Sequence, residues 1–284
     1  MAFSNSMVIE LGNKLSSAID KGDCIRILVE TSRIDGISKD WKGMLIKLSD
    51  YFKDGNLKNT HYSIFTKGNS KLPFYSYSEL SLATCPGKDK CADYCYSKKG
   101  WRYPDVVGRQ VQNMLLMRFN PEIIGYSFNI LPKDITLRLY VDGDFANAKV
   151  VSNWFNALAN RTDVRAYGYS KSWDEIYSVK SIWPINYTLN LSNGGLERSV
   201  KRADMESLPG VRGSFLAVSI DPTLMTKSKK FSLEYHMAVR DSIKSITGHA
   251  GFSCPGLCGS CNVKGQHACN SPILKGIAIG IGIH

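Results

Sequence analysis

The sequence YSYSELSLATCPGKDKCADYCYSKKGW, residues 75–101, joins an apolar, strand-like run to a loop that contains three cysteines. Cys85, Cys91 and Cys95 stand in a C-x5-C-x3-C spacing directly after this run. Because three thiols on one short loop suit a soft metal, the spacing predicts a metal site. The strand that ends directly before the loop places this site at the carboxyl end of that strand.

Six strand-like runs alternate with helical patterns, which predicts βα units and a parallel sheet. The runs are residues 75–83, 135–141, 164–170, 185–192, 214–220 and 273–283. The helical patterns are residues 108–119, 147–159, 172–183, 196–205 and 233–246. Six βα units predict a partial (β/α)6 barrel of the TIM type, with a doubly wound open sheet as the alternative. In either fold, ligands bind at the carboxyl ends of the strands.

The first 73 residues predict an α+β extension to this barrel. Helical patterns occupy residues 6–19 and 41–52, a β-branched run occupies residues 24–32, and a short strand is expected near residues 61–65. A lone cysteine in such a run is most often a small buried hydrophobe, and we interpret Cys24 in this way. We therefore divide the chain into an extension at residues 1–73 and a barrel domain at residues 74–284.

Polar residues gather where the predicted strands end. Asp142, Gly143 and Asp144 follow the second barrel strand, and Ser170 closes the third. The fourth strand ends with Asn190 and Ser192 and is followed by two glycines. Since carboxyl ends of parallel strands share one edge of a sheet, we expect these residues around one ligand, with Asp144 as its polar contact. Together with an aromatic from the cysteine loop, the predicted cofactor-binding residues are Tyr94, Gly143, Asp144, Ser170, Asn190 and Ser192.

A second cysteine group precedes the last predicted strand. Cys254, Cys258, Cys261 and Cys269 stand as C-x3-C-x2-C-x7-C. Disulfides suit small secreted chains, whereas this chain has 284 residues and no visible secretory signal, so metal ligation is the better interpretation. Four thiols suit zinc or a [4Fe-4S] cluster by number, and the lack of two paired C-x2-C knuckles favours iron and sulfide. Zinc is the alternative.

Composition narrows the possible partners. The net charge of +11 favours an anionic partner, and residues 95–103 interleave Lys and Arg with Tyr and Trp, as in proteins that grip single-stranded nucleic acid. In the alternative interpretation, the same residues form a solvated basic loop whose aromatic rings shield the metal. The longest apolar run, near the C-terminus, is shorter than a membrane helix, and the N-terminus predicts a cytoplasmic protein. Phosphate loops, nucleophile elbows and HExxH helices are absent, which leaves nucleotide hydrolysis, serine hydrolysis and zinc proteolysis without support.

Three cysteines after the first strand of a six-unit barrel, with Tyr94 directly before the last one, resemble the radical S-adenosylmethionine (SAM) enzymes over residues 75–284. In that superfamily, three cysteines spaced C-x3-C-x2-C hold a [4Fe-4S] cluster, and SAM chelates the fourth iron. A Gly-Gly-Glu motif after the second strand binds the SAM amino group. This chain has C-x5-C-x3-C instead, and Asp142, Gly143 and Asp144 stand in place of Gly-Gly-Glu.

The chain also resembles a phage-encoded, cysteine-rich family known by the label gene product 88. Its pattern contains a CPG loop, strand ends of the types GDF, Y-x-Y-S/T-K-S and N-x-S, a late cysteine group and a terminal His. The matching positions are Cys85 to Gly87, Cys95 with Tyr96, Arg138 with Gly143 to Phe145, Tyr167 to Ser172, Asn190 with Ser192, Cys254 to Cys261, and His284. This resemblance implies a virus and a bacterial cytoplasm but no reaction.

Two functional hypotheses follow. In the first, Cys85, Cys91 and Cys95 hold a cluster with one open iron, SAM and a small-molecule ligand occupy the barrel mouth, and an electron donor starts radical chemistry. The second cysteine group then holds an auxiliary, fully ligated cluster. In the second hypothesis, the protein is a non-catalytic iron-sulfur or zinc protein that carries electrons or binds host nucleic acid or protein. A fourth protein ligand to the first group, His267 or His284, would favour this second hypothesis.

Overall fold

The computed structural model of the protein describes residues 3–55, 59–197, 199–258, 261–263 and 266–283. Its helices are α1 (Asn5–Ser17), α2 (Lys21–Ser32), α3 (Lys39–Lys53), α4 (Pro104–Phe119), α5 (Pro121–Asn129), α6 (Ala148–Ala159), α7 (Trp173–Ser178), α8 (Arg202–Glu206) and α9 (Leu233–Thr247). Its strands are β1 (Phe65–Thr66), β2 (Tyr75–Tyr77), β3 (Thr136–Leu139), β4 (Arg165–Ser170), β5 (Tyr187–Ser192), β6 (Val211–Val218), β7 (Phe252–Ser253), β8 (Asn262–Val263), β9 (Gln266–His267) and β10 (Ile279–Gly282).

Eight strands form one mostly parallel sheet in the order β1-β2-β3-β4-β5-β6-β10-β7. Only β1 is antiparallel to its neighbour, so the prediction of six parallel strands is confirmed. The order from β2 to β6 follows the sequence without the reversal that a doubly wound sheet requires. These eight strands form an open sheet with β1 and β7 at its edges, while β8 and β9 pair separately as an antiparallel ribbon. The partial barrel remains a prediction.

The β-branched run at residues 24–32 lies in helix α2. The Asp20 side chain caps this helix by accepting a hydrogen bond from the Asp23 N–H at 2.8 Å. Cys24, Ile27 and Leu28 repeat at helical spacing and are buried, so burial of this face outweighs the β preference of the branched residues. Cys24 is 1% exposed, as expected for a small core residue.

Other elements differ from the sequence prediction in length. Strand β2 ends at Tyr77, and the chain then turns through Leu82, which adopts a positive φ of 68°. Helix α8 covers only the last part of the predicted pattern at residues 196–205, and α5 was not predicted at all. Helix α5 begins with Pro121 at its first position, where a missing N–H costs no hydrogen bond.

Alternation along the strands gives the sheet two different faces. Leu137 and Leu139 of β3 point into a large helix-covered core that contains buried residues from Phe3 to Val211. Arg138, between the two leucines, lines a cavity on the opposite face. This core contains residues from both sides of position 73. The domain boundary at that position remains a prediction.

The same alternation continues at the other end of the sheet. Leu216 and Val218 of β6 pack on α9 in a cluster with Tyr235 and Val239. The intervening side chain of Phe215 lines the cavity. Helices therefore cover one face of the sheet, and the opposite face is available for a site. None of the helices that the structure describes combines the length and apolar content needed to cross a membrane.

Candidate metal and cofactor site

A cavity of about 210 Å³ lies over the carboxyl ends of the strands. The cysteine loop forms its roof, and side chains of the strands form its floor. The roof includes Cys85, Cys91, Tyr94, Cys95, Tyr96 and Ser97. The floor and walls include Arg138, Asp142, Gly143, Asp144, Tyr169, Lys171, Ser192, Phe215, Ala217 and Ile281. The three thiols and four of the six predicted cofactor-binding residues, Tyr94, Gly143, Asp144 and Ser192, thus meet at one cavity.

Backbone hydrogen bonds fasten the cysteine loop to the segment that follows β5. The Cys91 N–H donates to the Gly194 carbonyl at 2.9 Å, and the Leu196 N–H donates to the Gly87 carbonyl at 3.1 Å. Gly194 has a φ of +73°, and a Cβ at this position would lie 2.2 Å from the Tyr94 hydroxyl oxygen. Glycine is therefore required for both the backbone conformation and the approach of the Tyr94 ring.

A second glycine fixes the strand end that carries the carboxylates. Gly143 has a φ of +81°, and a Cβ there would lie 2.7 Å from Thr84 Oγ1 and 3.0 Å from the Glu79 carbonyl oxygen. The Gly143 N–H donates to Ser81 Oγ at 2.8 Å. This close approach ties the end of β3 to the segment before the cysteine loop.

Asp144 is buried and is held by the protein itself. Its Oδ1 accepts hydrogen bonds from the Ser170 hydroxyl at 2.6 Å and the Phe145 N–H at 2.8 Å. Its Oδ2 accepts from the Lys171 N–H at 2.8 Å. Burial raises the pKa of Asp144, and these hydrogen bonds oppose the rise. Both carboxylate oxygens have protein partners, so Asp144 fixes the end of β4 as well as lining the cavity.

Ser170 and Asn190 do not line the cavity, in contrast to the expectation that both contact the ligand. Ser170 is 1% exposed and lies beneath Asp144. Asn190 is fully buried and donates to the carbonyls of Gly168 at 3.1 Å and Cys269 at 2.9 Å. The Asn190 side-chain amide thereby holds the second cysteine segment on the sheet. Its N–H donors are therefore already engaged with the protein.

The second cysteine group packs on the same face of the sheet as the cavity. Cys254, Cys261 and Cys269 belong to an apolar cluster with Tyr167 and Ile279. Burial is the main cause that raises the pKa of Cys254 to about 11 and that of Cys269 to about 12. The Cys258 N–H donates to the Lys71 carbonyl at 2.9 Å, which connects this segment to the loop before β2.

Thiols are soft ligands whose chemistry suits zinc or an iron-sulfur cluster. Among the described residues, no three His, Cys, Asp or Glu side chains converge closely enough to hold one metal ion. Hydrogen bonds also reach the sulfurs. The Gly256 N–H donates to Cys254 Sγ at 3.4 Å, and the Leu82 backbone hydrogen-bonds to Cys85. Burial raises the pKa of both thiols, and these hydrogen bonds oppose the rise.

His267 and His284 are the two candidates for a fourth protein ligand of the first cysteine group. His267 stacks against Phe74 and Tyr167, with ring centroids 4.8 Å and 4.3 Å apart, beside the second cysteine group. It does not line the cavity of Cys85, Cys91 and Cys95. Burial lowers the pKa of His267 to about 4, so its imidazole is neutral, and its Nε2 is buried with no hydrogen-bond partner. His284 lies outside the described residues.

Several cavity residues were not selected from the sequence. Arg138, Tyr169 and Phe215 lie in the middle of strands, whereas the sequence prediction considered strand ends. The signal for Arg138 was available, because a charged residue between two leucines in a buried strand faces away from the core. Tyr169 and Phe215 gave no such signal, since aromatic residues suit either face of a covered sheet.

Fold and site together define an α/β protein that carries two cysteine groups on one face of a parallel sheet. The family model of gene product 88 matches residues 47–212, which is more than half of the chain, and the chain belongs to this family. The match includes the first cysteine loop and the ends of β3, β4 and β5 at the cavity, and it stops before the ends of β6 and β10 and before the second cysteine group. No curated protein and no solved structure matches the chain.

Proposed function

We propose that this phage protein is a radical-SAM-like iron-sulfur enzyme of the host cytoplasm, with its sheet forming the wall of a partial βα barrel. Cys85, Cys91 and Cys95 would hold a [4Fe-4S] cluster at the barrel mouth. The observation that carries the proposal is that these three thiols share one cavity with the ends of successive parallel strands. Three thiolates leave one iron without a protein ligand, and that iron would face the cavity.

The residues around the cavity support this function in separate ways. A bound cluster together with SAM would supply one-electron chemistry. Gly194 and Gly143 fix the roof and the floor relative to each other, and Tyr94, Ser192 and Asp144 line the space where SAM would bind. Phe215 and Ile281 give the floor an apolar surface, which excludes water from a reactive intermediate. The second cysteine group would hold a fully ligated auxiliary cluster, with zinc as the alternative occupant.

The test begins with the metal content of protein purified without oxygen. We expect brown protein that contains iron and sulfide, and zinc in colourless protein would contradict the proposal. Cys85→Ala should lose the iron of the first group. Cys24→Ala is the matched control, because Cys24 lies in helix α2, apart from both groups, and should leave the iron content unchanged.

Catalysis requires a second measurement on the same preparation. Adding SAM to the reduced protein should change the electron paramagnetic resonance spectrum of the cluster and release 5′-deoxyadenosine. Cys85→Ala should abolish both signals, and Cys24→Ala should retain them. An unchanged spectrum and no 5′-deoxyadenosine from iron-loaded wild-type protein would instead favour a non-catalytic protein.

One surface feature favours nucleic acid as a partner under that second candidate function. Lys71, Lys99 and Lys230 come from three separate segments, yet they lie close enough for the other two charges to help lower the pKa of Lys230, after burial as the main cause. Tyr96 and Tyr103 are each 50% exposed on the neighbouring loop. Charge beside exposed rings suits single strands. Binding of a fluorescent oligonucleotide that weakens steeply with salt, and that Lys99→Gln weakens further, would support this candidate, and absence of binding at low salt would exclude it.

A further inference from the structure

Arg138 places a positive charge on the floor of the cavity and forms no ion pair with a described carboxylate. The guanidinium Cζ lies 4.8 Å from the centre of the Tyr169 ring. Its Nε is buried and has no hydrogen-bond partner, and none of the ion pairs among the described residues includes Arg138. A partly buried cation without an ion-pair partner is costly, so a function that requires its charge is the expected reason for its presence.

A second arginine on the same sheet shows how the protein satisfies a guanidinium that has a structural role. Arg212 of β6 is 3% exposed and donates to Asn190 Oδ1 at 2.5 Å. It also donates to the carbonyls of Leu274 at 2.9 Å, Ile277 at 2.7 Å and Ser214 at 3.0 Å. Arg138 has none of these hydrogen bonds. The contrast indicates that the protein leaves the Arg138 donors available to the cavity.

The acidic residues of the cavity are held by other donors and form no ion pair with Arg138, although the charge of Arg138 opposes the rise that burial causes in the pKa of Asp142. Asp142 accepts the Ser97 hydroxyl at 2.5 Å and is also hydrogen-bonded by Ser78 and Gln110. Asp144 has a protein donor on each of its oxygens. Lys171 contributes a second cationic side chain to the lining. The cavity therefore combines available cations with occupied carboxylates.

We infer that the cavity binds an organic anion, and that Arg138 holds its carboxylate or phosphate group on the floor. A guanidinium fixed over an aromatic ring presents a planar, bidentate donor set that suits either group. Arg138 lies five residues before Gly143, within the strand, so it belongs to the floor and not to the roof that carries the three thiols. The inference deepens the proposed function by naming the charge of the substrate, and it rests on that function only for the reaction.

The test is anion binding by protein purified without oxygen, measured by calorimetric titration at constant ionic strength. Inorganic phosphate and malonate are the two probes, because they distinguish a phosphate ligand from a carboxylate ligand. We expect the wild type to bind at least one of them, Arg138→Gln to bind it at least tenfold more weakly, and Arg138→Lys to be intermediate. Lys133→Gln, at an exposed lysine of the loop before β3, is the control and should bind as the wild type does.

Two outcomes would overturn the inference. One is that the wild type binds neither probe, and the other is that Arg138→Gln binds as tightly as the wild type. If Arg138→Gln does not fold, the comparison of Arg138→Lys with the wild type decides, since the retained charge lacks the bidentate geometry. Iron content separates the two proposals. Protein that lacks iron but binds phosphate would contradict the proposed cluster and support the anion site. Protein that contains iron but binds neither anion would contradict the anion site and leave the proposed cluster in place.

Discussion

The two cysteine groups lie on the same face of one sheet but in opposite surroundings. Cys85, Cys91 and Cys95 line a cavity with charged and polar neighbours. Cys254 and Cys269 pack in an apolar cluster with aromatic rings from β4 and β6. Soft ligands in an apolar cluster couple metal binding to folding, whereas ligands around a cavity leave room for a substrate. Under the proposed function, the second group would stabilise the protein and the first group would serve its chemistry.

The largest expected effect comes from removing one thiol of each group. Cys269→Ala should lower the free energy of unfolding by about 4 kcal/mol, because it removes a metal ligand and leaves a hole in the apolar cluster. Cys85→Ala should cost less than half of this amount, since Cys85 borders a space that is already open. Anaerobic urea unfolding of both variants measures the difference. Equal losses would remove the distinction between a stabilising group and a chemical group.

A pH-dependent loss of stability is expected near the first group. Glu79 is 1% exposed, and its carboxyl accepts the Tyr77 hydroxyl at 2.8 Å and the Tyr140 hydroxyl at 3.1 Å. Burial, as the main cause, raises its pKa from 4.5 to about 8. Because the folded protein favours the neutral form of this carboxyl, its contribution to the free energy of unfolding is fully present below about pH 4.5. The contribution falls as the pH rises and levels off above the folded pKa of about 8. Between about pH 6 and about pH 9 the loss should be on the order of 2.5 kcal/mol.

Glu79→Gln tests this prediction. Glutamine keeps a neutral hydrogen-bonding group in place, so the variant should lose the alkaline decrease in stability that the wild type shows. Unfolding curves at several pH values give the change in the free energy of unfolding with pH. The same change in the variant and the wild type would show that Glu79 does not cause it. Glu79 lies behind the cavity, so hydrogen exchange should report the alkaline loosening around β2 and β3 and not around the second cysteine group.

Gly143→Ala should act on the first group alone. The positive φ and the 2.7 Å approach to Thr84 Oγ1 make alanine unfavourable by about 2 kcal/mol. The displaced strand end should also reduce the occupancy of iron at Cys85, Cys91 and Cys95. Gly248→Ala is a matched control, because Gly248 has a φ of +76° at the end of α9 with open space around it. It should cost stability without affecting iron content, and iron loss in both variants would contradict the prediction.

The smallest effect is expected at the one cysteine outside both groups. Cys24→Ala removes a buried sulfur that packs in the N-terminal helices and should cost about 1 kcal/mol. Neither group should lose metal, because Cys24 acts as a small hydrophobe. Iron analysis and a melting curve are sufficient measurements. Loss of iron in this variant would show that the core around α2 and the cysteine loop are coupled.

The sequence predicted the parallel sheet well because strands follow local patterns, and four of the six predicted cofactor-binding residues line one cavity. Alternation marked six strands, and the cysteine spacing together with Asp144 marked the strand ends. The β-branched run at residues 24–32 misled the prediction, because a capping aspartate and helical apolar spacing outweigh residue preference. Boundaries such as the end of β2 depend on the positive φ of Leu82, which no residue type announces.

The roles of Ser170, Asn190 and Arg138 could not be predicted from the sequence, since each depends on long-range partners. Asn190 was expected at the ligand, yet it bonds to the Cys269 carbonyl, 79 residues later. For Arg138, the alternation of the strand indicates only the face of the sheet on which its side chain lies. Its missing partners became apparent only when the positions of all neighbouring carboxylates were known.

The position of β10 has a consequence for the order in which the protein forms during synthesis. This strand pairs with β6 on one side and with β7 on the other, although β7 precedes it in the chain by more than twenty residues. The loop with the second cysteine group therefore leaves the ribosome before the strand that anchors it. The cysteine loop of the first group leaves earlier, but Ile281 of β10 also lines its cavity. Neither cysteine site is therefore fully enclosed until β10 has been synthesised and has joined the sheet.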